Sequence, residues 1–564
     1  MPEMQFIIKI LGRFLIFCLP LPLFAQSVFL PQGSRHNPFL DRMEIKLQSY
    51  QALNLSTIKP FSRKTAGELS IYADSLSRLN QLSLSSADKY NLSMLQMDNP
   101  EWFHGDSSAF FSKRPILKSI YRTKANFLEV NEKDFFLALN PVLQFQLSSE
   151  KDNNERVFVN TRGLSLRGMI ARKIGFYTYF TDNQERMPGF AGNLVNTLRA
   201  VPGAGYYKPF KGTAWDYIDG RGGVTFNVAK YIDFRFAYDK NFIGNGYRSL
   251  LLSDFSNSAL FLQVNTRIWK LNYQNIYMEL NPQFVKTGDN LVDKKYATIH
   301  HLSLDVTPWL NVGLFEAVIF GRKNSFELTY LNPIIFLRLA EQQNGSPDNA
   351  LIGFDLKANV AKRAQLYAQL MLDEFVLKEI KAGNGWWGNK FALQLGGKYL
   401  DLFGIPNLDI QGELNLARPF TYSHYDSSAN YSHYNQPLAH PLGANFIEGV
   451  GIIRYQPLPK LTMSARLIAW TQGVDTGASS SGSNIFKLYT LRTTDYGFGL
   501  PSGVKTKGLN LQMLASYELR TNLFLDAALL IRNRKSPSGL VSATESRTIT
   551  AGLRLNIFRR EYDY

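Results

Sequence analysis

From about Phe135 to the C-terminus, apolar and polar residues alternate with a period of two. No segment there is long and apolar enough for a membrane-crossing helix. Leu509, Leu511, Met513, Ala515, Tyr517 and Leu519 are separated by Asn510, Gln512, Leu514, Ser516 and Glu518. A tight turn at Arg520-Thr521-Asn522 follows, and Leu525, Ala527, Leu529 and Ile531 resume the alternation. The same pattern runs through Leu408 to Leu416, Leu461 to Ala469, and the closing stretch Thr548 to Phe558. Such strands build a sheet with one apolar and one polar face.

A soluble sandwich alternates too. Two features favour a membrane barrel. Asp409, Gln411, Glu413 and Asn415 share the polar face of one strand, as a watery lumen permits. Connections also alternate between tight turns and long loops, notably Tyr422 to Asn445 and Thr471 to Lys505. If this chain enters a membrane it must do so as a closed barrel, because an open edge leaves backbone groups unpaired in lipid. The expected fold is all-β: a large antiparallel transmembrane β-barrel. Roughly 425 residues accommodate about 16 to 20 strands of about 10 residues.

The N-terminus reads as a secretory signal, residues 1–25. Lys9 and Arg13 form its basic region, Phe14 to Phe24 its apolar region, and Ala25 its cleavage point, leaving Gln26 as the new start. The apolar run is too short for a membrane anchor and contains Pro20 and Pro22. Ile16 and Phe17 are too bulky for a lipoprotein signal at Cys18. Cys18 is the only cysteine, so a processed chain has no disulfides, thiol chemistry or cysteine–metal sites.

The formal charge is +16; removing Lys9, Arg13 and Glu3 with the signal lowers it by one, to +15. This excess favours anionic partners such as acidic polysaccharide or lipopolysaccharide phosphate, or else reflects a basic lumen and loops. Export argues against nucleic acid.

Residues 26–130 differ in pattern and read as a mostly helical, periplasmic segment preceding a barrel over residues 131–564. Asp41 to Leu47 reads as one short strand, Ser62 to Leu79 as a helix. Ser85 with Asp88 three residues on makes a capping-box start for a second helix ending before Pro100. At the far end Tyr562 and Tyr564 fall on the opposite parity to Ile557. Either a bulge near Arg559-Arg560 resets the register or the tail lies beyond the last strand.

Several motifs follow one another in order: Thr161 to Gly168 (TRGLSLRG), Gly175 to Arg186 (GFYTYFTDNQER), Gly244 to Leu250 (GNGYRSL) and Tyr330 to Ile334 (YLNPI). Trp386 to Lys390 (WWGNK) and Pro419 to Gly443 (PFTYSHYDSSANYSHYNQPLAHPLG) complete the set. Together they resemble the Wzi-type capsule-assembly barrels, specifically the Bacteroidetes branch that includes the gliding-motility protein RemB. The resemblance implies a monomeric outer-membrane barrel of about eighteen strands with helices at its periplasmic mouth. It further implies a protein that binds, retains or helps assemble surface polysaccharide. The alternative it leaves open is an accessory of gliding motility or its associated secretion machinery, acting through protein contacts. The expected partners are therefore surface polysaccharide or lipopolysaccharide, outer-membrane lipid, and gliding or secretion proteins.

The candidate polysaccharide contacts are Trp386, Trp387, Tyr422, His424, Tyr425, Tyr431, His433 and Tyr434. Aromatic faces stack on sugar rings, and His or Asn side chains fix hydroxyls. The competing reading packs Tyr422 to Tyr434 into the barrel mouth and uses Trp386-Trp387 as a membrane girdle. His424, His433 and His440 match no compact metal pattern. Asp373 and Glu374, adjacent on a strand, point to opposite faces and do not flank one glycosidic bond. Gly244-Asn245-Gly246 lacks the third glycine of a dinucleotide loop and reads as a turn. Ser423-His424 and Ser432-His433 are sequence neighbours, which sets no hydrolase geometry. No enzyme activity, cofactor or metal is expected.

Overall fold

A computed structural model of the chain describes residues 28–48, 50–285, 290–558 and 560–564. The expected signal and its cleavage point lie outside these residues. Eighteen antiparallel strands, each hydrogen-bonded to the next in sequence, run from Phe135–Glu150 to Thr544–Leu555. The last strand pairs with the first, Leu553 opposite Phe145 and Leu555 opposite Leu143, so the sheet has no free edge. Among the described residues no helix is long and apolar enough to cross a membrane.

Alternation in sequence becomes outside and inside. Leu509, Met513, Tyr517 and Leu525 are exposed on the outer wall, while Asn510, Gln512, Ser516 and Glu518 are buried in the lumen. The Val504–Arg520 and Leu523–Lys535 strands are joined by Thr521-Asn522, with Asn522 at φ 60°. Similar two-residue turns at 230–231, 269–270, 308–309 and 459–460 line the same end. The opposite end carries the long connections, among them residues 187–213, 321–348, 418–445 and 475–503.

A helical plug fills the short-turn end: α1 (Asn37–Leu47), α2 (Gln51–Asn54), α3 (Arg63–Arg78) and α4 (Ser86–Met97). Ser62 caps α3, accepting from the Thr65 amide. The capping box of α4 forms as its sequence indicates: the Ser85 hydroxyl accepts from the Asp88 amide (2.9 Å), and Asp88 accepts from the Ser85 amide (3.2 Å). Asp41 to Leu47 is helical, correcting the strand expected there. Met43, Ile45 and Leu47 imitate a period of two only because Arg42 and Glu44 between them are buried as well. Pro38 starts the helix, and Phe39, Leu40, Met43 and Leu47 join a plug core with Leu69, Ala73, Leu92 and Leu95. Arg42 is buried because it meets Asp88 (2.7 Å), Asp401 (2.5 Å) and Asp409 (2.7 Å); Glu44 meets Lys357 of the wall.

Two further segments enter the lumen. Residues 240–258 fold inward from the long-loop end, and Phe242–Ile243 pairs with Ile58–Lys59 of the plug. Gly244 donates its amide to the Thr57 carbonyl (3.0 Å). A Cβ on Gly246 would lie 2.5 Å from a Glu413 carboxylate oxygen, whose carboxylate instead accepts the Tyr247 and Arg248 amides. The Gly-Asn-Gly turn thus lets backbone approach a buried acid. The chain end resolves the parity conflict: the last strand stops at Leu555, and the tail turns back into the lumen. Asp563 binds Arg248 (3.0 Å), Glu561 binds Arg466 (2.5 Å), and the Tyr562 hydroxyl donates to Glu185.

Candidate functional site

At the long-loop end, residues 375–389, 418–445 and 475–503 come together. The first begins with a short helix, Leu377–Ala382, ended by Gly383 at φ 64°. Gly385 (φ +69°) lies so close to Phe498 that a Cβ would meet its amide nitrogen at 2.8 Å. That approach allows three backbone bonds: Gly497 to Asn384, Phe498 to Gly385, and Trp387 to Asp495, each 2.9 Å. The Asn384 side chain also accepts from the Trp386 amide (3.2 Å). Gly383-Asn384-Gly385 therefore fixes the two tryptophans against the neighbouring loop.

Trp387 sits 4.8 Å from Tyr489 and 6.0 Å from Trp386, centroid to centroid. Tyr489 in turn contacts His424 (6.0 Å) and Tyr425 (6.2 Å), which are 4.2 Å from each other. The Arg492 guanidinium lies 3.8 Å from the Trp387 ring centre, a cation–π contact, and pairs with Asp495 (2.8 Å). Tyr425 is 44 % exposed; Trp386, Trp387 and Tyr489 are half-buried. The result is a partly open aromatic surface edged by an arginine and a carboxylate. Tyr489 at its centre and Arg492 were missed from sequence, because the surrounding Gly/Ser-rich loop has no periodicity to flag them.

The remaining candidates lie beneath this surface or away from it. Tyr422 and Tyr431 are fully buried, stacked at 5.6 Å, and donate their hydroxyls to the carbonyls of Leu250 (2.7 Å) and Leu251 (2.6 Å). They pin the inward loop to the mouth. His433 is buried: its Nδ1 accepts from the Asn281 amide and its Nε2 donates to the Ser258 carbonyl, both at 3.0 Å. Tyr434 packs edge-on to Phe284 (4.9 Å), in a separate cluster. His424 is buried beneath Tyr425 and accepts from the Asp426 amide. Burial pushes His424 and His433 down to about 4, with Lys390 adding to the effect on His424. Both are neutral at physiological pH.

Neither Ser–His neighbour forms a catalytic pair. Ser423 donates to the Phe420 carbonyl and Ser432 to Asn430. His440 binds Glu448 (2.7 Å). Among the described residues no group of three or more His, Cys, Asp or Glu is placed to hold a metal. Asp373 and Glu374 do not stay on opposite faces. A register shift at Leu372/Glu374 brings both to Lys390, at 2.9 and 3.1 Å. Their shared ammonium partner makes them a structural cluster rather than two carboxylates flanking a bond.

No protein-family model and no curated protein matches the chain. Its fold is similar to that of Wzi from Escherichia coli, an outer-membrane protein involved in group 1 capsule assembly and a carbohydrate-binding β-barrel. That match has a TM-score of 0.52 and 13 % identity, covering 95 % of this chain and 99 % of Wzi. OprD of Pseudomonas aeruginosa matches with a TM-score of 0.41 and 10 % identity, over 74 % of this chain and 94 % of that one. This is an outer-membrane β-barrel. Its closed sheet, apolar outer wall and polar interior are those of that class.

Proposed function

We propose that this barrel is a non-enzymatic surface protein that binds and retains polysaccharide at the cell surface through the aromatic face of its outer loops. The observation carrying this reading is the cluster of Trp386, Trp387, Tyr425 and Tyr489, held half-open beside Arg492 and Asp495. Flat rings present an apolar face to the axial C–H groups of a sugar, while the flanking charges reach its hydroxyls or acidic substituents. Wzi, a carbohydrate-binding barrel of the same fold, supports the substrate class.

In this reading the short-turn end and its helical plug face the periplasm, and the long loops face outward. The motif order supports membership of the Bacteroidetes branch that includes RemB. Capsular polysaccharide is the proposed ligand, with Trp386, Trp387 and Tyr425 touching it and Tyr422, Tyr431 and His433 as scaffold. Calorimetry of the purified barrel against its own organism's surface polysaccharide tests the proposal. Binding that is weakened in Trp386→Ala and Tyr489→Ala supports it; no binding rejects it.

A further inference from the structure

Between the plug, the inward loop 240–258 and the C-terminal tail lies a cavity of about 690 Å³. Its walls carry many arginines and lysines, most held by a carboxylate lining the cavity or just behind it. Arg35 pairs with Glu518, Arg466 with Glu561, Arg554 with Asp526 and Arg560 with Glu185. Three cations on the wall have no carboxylate within 4 Å among the described residues: Lys59, Lys240 and Arg454. Each donates to a neutral oxygen, and the Lys59 ammonium also lies 3.8 Å from the centre of the Phe61 ring. Lys59 donates to the Ser56 carbonyl (2.8 Å), Lys240 to the Asp254 carbonyl (2.9 Å), and Arg454 to the Gln411 side chain (3.0 Å).

They come from three different parts of the chain: Lys59 from the plug, Lys240 from the inward loop and Arg454 from a barrel strand. Asp41 is a carboxylate near two of them, and it already binds Lys398 (2.7 Å). Glu44 near Lys59 and Asp409 near Arg454 are likewise already bound, by Lys357 (2.6 Å) and Arg42 (2.7 Å). Burying a cation without a counter-ion is strongly unfavourable, as for one half of a broken buried pair. Burial pushes both Lys59 and Lys240 down to about 8, more than the carboxylates of Asp41 near the first and Asp219 near the second offset. The space falls within the roughly 300–1,000 Å³ of small-molecule sites. Tyr179, Tyr247 and Tyr455 on the same wall supply ring faces and hydroxyls.

We infer that this internal cavity binds a small oxyanion, a phosphate or the acidic group of one sugar unit, between Lys59, Arg454 and Lys240. Ammonium and guanidinium groups lining the cavity from three segments would then be neutralised together, and the anion would tie plug, loop and wall to one another. The site is separate from the outer aromatic surface, so either can fail without the other.

The test is calorimetry and thermal melting of the full-length barrel in non-ionic detergent at low salt. Inorganic phosphate, glucuronate and glucose are titrated separately. Phosphate or glucuronate is expected to bind at one site per chain and raise the melting temperature, while glucose does neither. Phosphate selectivity points to a phosphorylated ligand, and glucuronate selectivity to an acidic sugar. Affinity should fall at least tenfold in Lys59→Gln/Arg454→Gln and in Lys240→Gln, and be unchanged in the outer-loop variant Lys487→Gln. Should the double variant fail to fold, Lys240→Gln alone decides. No uptake of either anion, or equal affinity in Lys240→Gln and the unmodified barrel, overturns the inference.

Discussion

Lys357 on the barrel wall and Glu44 on α1 form an ion pair of 2.6 Å, with both side chains only 1 % exposed. Their separation in sequence means that this contact reports directly on the seating of the plug. Glu44→Gln leaves Lys357 buried without its partner and should destabilise the plugged barrel by about 3 to 5 kcal/mol. Replacing the pair by Glu44→Met/Lys357→Met should recover most of that loss. Chemical denaturation of the three variants, followed by intrinsic fluorescence, measures both effects.

The mouth is held by two hydroxyls. Tyr431→Phe removes the donor to the Leu251 carbonyl and should cost about 1 to 3 kcal/mol, because that carbonyl is left unpaired in a dry site. Tyr431→Ala should cost about 3 to 5 kcal/mol by adding a cavity. Freed from its anchor, loop 240–258 would exchange its amides faster, and hydrogen exchange of Leu250 to Leu252 reads this.

Surface aromatics should behave differently from buried ones. Trp387→Ala and Tyr489→Ala are expected to weaken polysaccharide binding about tenfold, or about 1.4 kcal/mol, with little change in melting temperature. Tyr422→Phe should do the reverse, lowering stability and leaving affinity intact. Equal loss of affinity in all three would place the ligand in the mouth.

Acid should loosen the outer loops. His424 and His433 have folded values of about 4, below the unfolded value of about 6.5. Their contribution is therefore present in full above about pH 6.5 and is lost progressively as pH falls to about 4. The slope is about 1.4 kcal/mol per pH unit for each histidine. Amide exchange of residues 418–445, corrected for its intrinsic pH dependence, should accelerate over that window. His433→Gln should flatten the profile.

The tail is held inside the lumen by its contacts with Arg248, Arg466 and Glu185. Deleting residues 560–564 should raise single-channel conductance of the refolded barrel in a planar bilayer. Arg248→Gln, which removes the Asp563 partner, should raise it less. Conductance equal to that of the full chain in both variants would show that the tail blocks no path.

Local signals were legible wherever a period or a cap carried them. The strand Val504–Arg520, its turn at Asn522 and the capping box at Ser85 need only neighbours within a few residues. Asp41 to Leu47 misled because a helix buried on several sides loses its apolar stripe; only the packing of Arg42 and Glu44 against wall and plug explains their burial. Asp373 and Glu374 misled for a related reason, since a bulge cancels the alternation that adjacent strand residues otherwise obey.

By itself the sequence determined the closed barrel. Strands alternating apolar and polar residues, with no crossing helix, leave closure as the one way to pair every backbone group in lipid. The alternation of short turns and long loops was equally plain. Tertiary structure alone decided what fills the barrel and which aromatics face outward. Arg248 meets Asp563, and Tyr422 meets Leu250, across long stretches of chain with no shared period. Six of the eight candidate contacts lie in one short stretch, yet Tyr425 is exposed and Tyr431 buried, because exposure depends on loops arriving from elsewhere in the fold.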